Sequence, residues 1–565
     1  NMCHESSGSA LNKTIGIGKG TVTLDDFYKT DAVFILGQNP GTNHPRMLSA
    51  LQQCVRNGGK VVSINPLKES GLLGFAHPQE IGGILGKYTP LSDQYLQIRI
   101  NGDQALLKGI AKIILSHPER LDEAFISKNT EGFDDYKASI GLCEWGQIVS
   151  ESGLSRQEIE AAAKLLIDSQ SAIFCWAMGL TQHKNSVATI QEIVNIQLML
   201  GNLGKPGAGL CPVRGHSNVQ GDRTMGIYEK MPEAFLAKLG DVFDFKAPRE
   251  FGFDVVEAIT AMHDKPGLVF FGLGGNFLSA TPDTTYTAQA LRNCTLTAHV
   301  ATKLNRSHLV TGNEALILPC LGRSELDVRG AGTQKITVEN SMGIVHASCG
   351  RLKPASDDLL SEPAIVSHLA EATLAKRSSV DWAGLRENYD LIRNAIESVI
   401  PGFNNFNKRL EEEGEFYLPN NAKELDFSHI GGKAKFTVCP MNITRVIDNQ
   451  LLLMTIRSHD QYNTTIYGLD DRYRGIKNER RVIFLNKEDM ASRKIVAEQP
   501  VDITSHFEGE TREAKLFLAI PYDIPRGCAA AYFPETNVLV PIKSTADESN
   551  TPTSKSIIIT LTPCS

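Results

Sequence analysis

At 565 residues the chain is long enough for several domains of about 150 residues each, and its 42% hydrophobic and 21% charged content is that of a folded globular protein. A net charge of −7 gives no pull toward nucleic acid or an anionic membrane. No apolar run approaches the ~18 residues of a membrane span.

The chain opens on "NMCHESSG", which sets a thiol, an imidazole and a carboxylate (Cys3, His4, Glu5) at an end where chains ordinarily fray. Such an end is either the edge of something larger or tied down by chemistry. Residues 31–66 then read as a βαβ unit. An apolar run from Ala32 to Leu36 meets a "GQNPG" turn, a helical pattern places Met47, Leu48, Leu51 and Val55 on one face, and "GGKVVSIN" supplies the second strand. The first turn aims backbone N–H groups at the crevice beyond the strand ends, where a phosphate is favoured. A second unit follows, with a strand to Ala177, a turn at Gly179, and a helix from about Asn185 to Gly201. A third is "PGLVFFGLGGNFLSATPDTTYTAQAL", strand, glycine turn, then helix from about Pro282. This recurrence predicts doubly wound α/β domains.

Between the second and third units, residues 201–226 carry seven glycines and no periodic pattern, so this stretch is expected to be a long functional loop. Residues 352–430 turn polar and helical and read as peripheral helices with a connector. After about 431 short apolar segments alternate with turn residues, as in "LLLMTIRSH" and "SIIITLTP", and predict a C-terminal β-barrel. Eleven cysteines occur without a C-x-x-C spacing, which fits neither a disulfide framework nor a zinc or iron–sulfur site. A reducing, cytoplasmic setting is expected, with most of these cysteines acting as small buried hydrophobes.

A nicotinamide dehydrogenase needs G-x-G-x-x-G and an acid near the end of the second strand, whereas here the turn is "GQNPG" and that strand ends in Asn65. The "GLGGN" at 272–276 reads equally as a tight turn or a ligand contact. Arg214, in a neutral, backbone-dense segment, suits a carboxylate or phosphate held through its planar fork, with a loop-to-core salt bridge as the alternative. Cys3 and His4 read either as a reactive pair or as an inert thiol beside an unrelated ring.

In order along the chain, "CHESSG", "GQNPGTNHPRML", "INGDQALLKG", "MGLTQH", "GNLGKPGAG", "PVRGHSNVQGDRTMG", "NEALILP" and "ESNTPTSK" resemble the molybdopterin oxidoreductase family, specifically its formate-dehydrogenase-like, YdeP-type branch. The resemblance implies a multidomain α/β architecture of the dimethyl sulfoxide reductase/formate dehydrogenase type. Its expected domains are 1–215 and 216–430, both α/β and molybdopterin-binding, and a barrel at 431–565. It implies a Mo-bis(molybdopterin guanine dinucleotide) cofactor, a 4Fe-4S cluster in a domain preceding this chain with no cluster ligands within it, a small anionic substrate and an electron-transfer protein as partner.

By the same resemblance Cys3 matches the metal ligand, His4 the proton-accepting histidine and Arg214 the arginine that orients substrate. Gly37, Asn39 and Pro40 match the first strand-end crevice, Asn65 and Asp103 the neighbourhood of a guanosine, and Met178, Gly179 and Gln182 the turn over a pterin. Asn218 and Gln220 continue the central loop, and the second nucleotide falls to Asn276, Asn340, Arg457, Gln461, Asn537 and Lys555. Two positions depart from the formate dehydrogenase pattern: Glu5 replaces a small residue and His216 replaces Gln, which adds titratable groups to the pocket. Against the catalytic reading stands a non-catalytic cofactor binder serving stress or acid resistance.

Overall fold

A computed structural model describes residues 1–564. The described chain divides into two compact units, one of residues 1–215, 279–285 and 420 onward, the other of 216–278 and 286–419.

The first unit begins with helix α1 (Glu5–Ile15), whose N-cap is His4. Its sheet then builds from β1 (Ala32–Leu36), the short helix α2 (Pro40–Asn43), α3 (Pro45–Arg56), β2 (Lys60–Ile64), β3 (Gln94–Leu96), α4 (Asp103–Leu115), β4 (Ala172–Trp176), α5 (Met178–Thr181), α6 (Ser186–Met199) and β5 (Gly209–Pro212). The strands are parallel in the order β3-β2-β1-β4-β5. Every residue of β1 and β4 is buried, as expected of strands covered on both faces. Phe34 and Phe174 are register partners whose rings stack at 4.8 Å, each worth roughly 1.5–3 kcal/mol of burial.

The direction of winding reverses between β1 and β4, and ligands of such sheets bind in the crevice beyond the strand ends at that point. There Gly37 follows β1 with φ +56°, and Gly179 follows β4 and donates its N–H to the Gly37 carbonyl at 3.0 Å. A Cβ on Gly179 would lie 2.4 Å from the Gly37 Cα and carbonyl oxygen, so only glycine lets the two tips meet this closely.

The expectation of an aperiodic loop over 201–226 misses β5. Only four residues long, with Gly209 at one end and Pro212 at the other, it has no pattern of its own. Pairing makes it a strand: Gln197 of α6 donates to both the Ala172 and Gly209 carbonyls, at 2.9 and 2.7 Å, and stitches β5 to β4.

The second unit carries a parallel three-stranded sheet of β6 (Val269–Leu273), β7 (Leu296–Ala301) and β8 (Glu314–Pro319), in the order β8-β7-β6. The strand predicted within "PGLVFFGLGG" is present, but it alternates in exposure because it is an edge strand. The polar stretch after 352 is helical at Glu362–Leu374, Trp382–Glu387, Tyr389–Val399 and Phe406–Glu412, as expected.

The chain then returns to the first unit and closes a six-stranded barrel, as the strand-rich C-terminal pattern anticipates. Its strands are β9 (Leu451–Ile456), β10 (Val482–Leu485), β11 (Pro500–Phe507), β12 (Glu510–Pro521), β13 (Cys528–Tyr532) and β14 (Ile557–Pro563). They run in the order β9-β13-β10-β12-β11-β14. Among the described residues no helix is long and apolar enough to cross a membrane.

A methyl group at the strand tips has nowhere to go. Gly179→Ala is expected to lower the unfolding free energy by roughly 1–3 kcal/mol, read as a fall in the urea midpoint with an unchanged slope. An unaltered midpoint would show that the tips are not in contact.

Candidate active site

The opening residues do not fray, because hydrogen bonds tie them to two other segments of the chain. Asn1 Nδ2 donates to the Asn550 carbonyl at 2.8 Å, Gln182 Nε2 to the Met2 carbonyl at 2.9 Å, and Thr181 Oγ1 to the Cys3 carbonyl at 2.6 Å. Ser6 follows in the first turn of α1. Its hydroxyl donates to the Thr181 carbonyl at 2.9 Å and receives the Ser186 hydroxyl at 2.7 Å. Cys3 is thereby fixed half-buried at the crevice between β1 and β4, within electrostatic range of Arg457.

His4 is buried, with Nδ1 3.0 Å from the Ser7 hydroxyl and Nε2 3.2 Å from the Val213 carbonyl. Val213 directly follows β5 and directly precedes Arg214, so this contact sets the imidazole beside the central arginine. Burial, then the charges of Arg214 and His44, hold His4 well below the ordinary imidazole value, against the opposing effect of the Val213 hydrogen bond. Arg214 is half-buried and donates to the Gly18 carbonyl at 3.0 Å.

Around the strand tips lie half-buried cations. Lys555 reaches the Thr455 carbonyl and donates its backbone N–H to the Gln182 carbonyl at 3.2 Å. Burial, reinforced by the neighbouring Arg457, pushes its ammonium down to about 7, with Glu69 opposing. Arg457, just past β9, is also lowered by burial and donates to Asn43 Oδ1 at 3.2 Å. At the same tips Gln38 Oε1, Thr42 Oγ1 and His183 Nδ1 are buried without a hydrogen-bond partner. Orphaned polar atoms beside desolvated cations fit a large polar ligand that carries negative charge.

The structure brings Cys3, His4, Gly37, Met178, Gly179, Gln182, Arg214, Arg457 and Lys555 to this region of the first unit through the contacts above. Asn39 caps α2, accepting from the Thr42 N–H at 3.3 Å, and Pro40 is that helix's first residue. Asn65 braces the same turn by donating to the Gln38 carbonyl at 3.1 Å. Asp103 heads α4, where burial pushes its carboxyl up to about 7.

Gln461 and Asn537 also lie in this unit, but their side chains serve its own framework. Gln461 donates to the Asn463 and Phe533 carbonyls while accepting from Arg480, and Asn537 donates to the carbonyls of Ser279 and Thr281. In the second unit Asn218, Gln220 and Asn340 converge. Asn218 Oδ1 accepts from the Glu339 N–H at 3.0 Å, and Gln220 donates to Glu339 at 2.7 Å and to the Asn340 carbonyl at 3.2 Å. Asn276 stands apart from them at the β6 tip, bonded to Ser307 at 3.0 Å.

Sequence reasoning missed His44, Ser7 and Trp176. His44 stood in view, within "TNHPR", but nothing local tells that its Nε2 lies 3.1 Å from where a Cβ on Gly215 would be. Ser7 and Trp176 are separated by 169 positions and give no sequence signal at all.

Comparison with known proteins bears on this geometry. Residues 3–304 match the family model described as molybdopterin oxidoreductase, and residues 451–558 match the one described as Molydopterin dinucleotide binding domain. The chain is 49% identical over 574 residues to an uncharacterized oxidoreductase of Mycobacterium tuberculosis, covering all of this chain and 74% of that protein. It is 42% identical over 579 residues to protein YdeP of Escherichia coli, covering all of this chain and 76% of the relative. Formate dehydrogenase H of Escherichia coli is 30% identical over 225 residues, 40% of this chain and 29% of that one. Among solved structures, acetylene hydratase from Pelobacter acetylenicus superposes with a TM-score of 0.71 at 14% identity, covering 99% of this chain and 81% of the other, a likeness of fold.

The buried lysine has a measurable signature. Its folded value of about 7 lies below the ordinary 10.5, so between those pH values the unfolded chain binds the extra proton. The resulting cost to the ligand-free protein is full below pH 7 and fades as pH rises toward 10.5. Lys555→Met is therefore expected to raise the unfolding free energy at pH 7 by roughly 2–4 kcal/mol and to flatten its rise between pH 7 and 10. Urea denaturation across that range provides the check, and a lysine at its ordinary value would leave both unchanged.

Proposed function

The chain belongs to the molybdopterin oxidoreductase family, and from that premise we propose that it is a molybdenum-dependent, formate dehydrogenase-like oxidoreductase acting on a small anion. The reading is carried by one observation. The Cys3–His4 turn is held at the crevice between β1 and β4, with His4 bonded to the residue that precedes Arg214.

A bis(molybdopterin guanine dinucleotide) centre, when bound, supplies a metal that exchanges two electrons with substrate. The donor set fits such a group, since a soft thiolate at Cys3 suits molybdenum or tungsten. Desolvated cations at Arg457 and Lys555, with backbone donors at the glycine tips, suit pyrophosphate. Gly37, Asn39, Pro40, Met178, Gly179 and Gln182 would line the first nucleotide, with Asn65 and Asp103 near its base. In the second unit Asn218, Gln220, Asn276 and Asn340 are that unit's own candidates for the second nucleotide. Gln461 and Asn537 would contribute through the loops they brace.

Arg214 would orient the substrate anion through its guanidinium. His4 would receive the substrate proton, and holding it neutral keeps a ring lone pair ready. The buried thiols support a cytoplasmic setting.

Metal analysis of protein made under molybdenum- and tungsten-replete conditions is expected to find one of the two, and finding neither would sink the proposal. Arg214→Ala should lower kcat/KM by about 10²–10³-fold with the cofactor still bound. Loss of cofactor from that variant would instead make the arginine structural. Cys3→Ser should abolish dye-linked turnover, and unchanged turnover would favour the non-catalytic binder.

A further inference from the structure

Four groups around His4 form a closed ring of hydrogen bonds. Trp176 Nε1 lies 2.9 Å from the Ser7 hydroxyl oxygen, Ser7 lies 3.0 Å from His4 Nδ1, His4 Nε2 lies 3.2 Å from the Val213 carbonyl, and the Val213 N–H returns to the Trp176 carbonyl at 2.8 Å. Trp176 and Ser7 are fully buried and His4 is 6% exposed. Water therefore has little part in the ring.

The chemistry of its two ends fixes the direction of every bond. An indole N–H can only donate, so the Ser7 oxygen must accept from Trp176, which leaves the serine proton free to point elsewhere. A backbone carbonyl can only accept, so neutral His4 must carry its proton on Nε2 to meet Val213. The lone pair is then on Nδ1, the nitrogen that faces the Ser7 O–H. Donation runs one way, from Trp176 to Ser7 to His4 to Val213, and no member is left without a partner.

We propose that Ser7 and Trp176 are positioning residues that hold His4 as its Nε2–H tautomer, with the Nδ1 lone pair accepting from the Ser7 O–H and taking up a proton only as that hydroxyl turns away. The proposal rests on the proton-accepting role given to His4 above, but its geometry does not. Ser7 lies one turn along α1 from the histidine, and Trp176 and Val213 come from the ends of the neighbouring strands β4 and β5. The imidazole plane is thus tied to the same two strand tips that carry Gly179 and Arg214. Without the Ser7 hydroxyl the ring would keep one tether and be free to swing about it, as happens when the partner that orients a functional histidine is lost.

The test uses the full chain with ring-labelled ¹⁵N-histidine, assigned by difference against His4→Gln. Long-range proton–nitrogen correlation is expected to show His4 protonated on Nε2, with an Nδ1 resonance typical of a hydrogen-bonded lone pair. Ser7→Ala removes a single oxygen and should move that resonance to the position of an unbonded nitrogen. Trp176→Phe, which keeps the ring and removes only its N–H, should shift it in the same direction by less. In the metal-loaded enzyme Ser7→Ala should lower kcat about 10–100-fold, with KM and metal content unchanged.

An Nδ1–H signature in the wild type, or an unmoved Nδ1 resonance in Ser7→Ala, overturns the proposal. So does wild-type kcat in Ser7→Ala where His4→Ala is inactive. Wild-type turnover in His4→Ala would instead overturn the functional reading, and the spectroscopic arm would still decide the tautomer.

Discussion

The contact between two glycines organises the first unit. Gly37 and Gly179 end neighbouring strands on either side of the reversal in sheet winding, and a backbone hydrogen bond of 3.0 Å joins them. Because neither carries a side chain, backbone rather than Cβ atoms lines the crevice, and donors at the strand ends can approach a ligand closely. Several chemically active groups of this unit are arranged about that approach. The residues after β4 hold the opening segment, the residues after β5 hold His4, and the end of β9 delivers Arg457 beside the thiol.

The same region is costly for the protein alone. Lys555 and Arg457 are both lowered by desolvation, and Arg457 depresses Lys555 further, Asp103 is buried without compensating charge, and several polar atoms lack partners. The penalty on the two cations is one that a polyanionic ligand would relieve, so binding and stability are coupled. A core built for stability would have replaced these groups with hydrocarbon. Cations kept at such a cost support the proposed binding of a polyanion.

The histidine ring adds a different kind of constraint. Hydrogen bonds to partners that can act only as donor or only as acceptor leave an imidazole no choice of tautomer. The Val213 carbonyl is such a partner for Nε2, and the buried Trp176 indole, by donating to the Ser7 oxygen, leaves the serine proton for Nδ1; both come from strand ends. Loop-borne polar groups would hold the ring less firmly.

Much of this fold was legible in the chain because its signals are local. The apolar runs of β1 and β4, the helix of 45–56, the polar helices after 362 and the short strands of the barrel each announce themselves within a dozen residues. Cys3, His4 and Arg214 were also visible, as reactive residue types in segments with distinctive neighbours. The edge strand Gly209–Pro212 was not, since four residues bounded by glycine and proline become a strand only through pairing with β4 and the grip of Gln197. Nor were the roles of Ser7, Trp176 and His44, because which way a side chain faces depends on the register of strands far apart in sequence. By itself the sequence determined the elements with strong local patterns, the glycine turns and the candidate reactive residues. Tertiary structure alone decided which of them meet, because hydrogen bonds and electrostatic fields act over a few ångströms of space and take no account of separation along the chain.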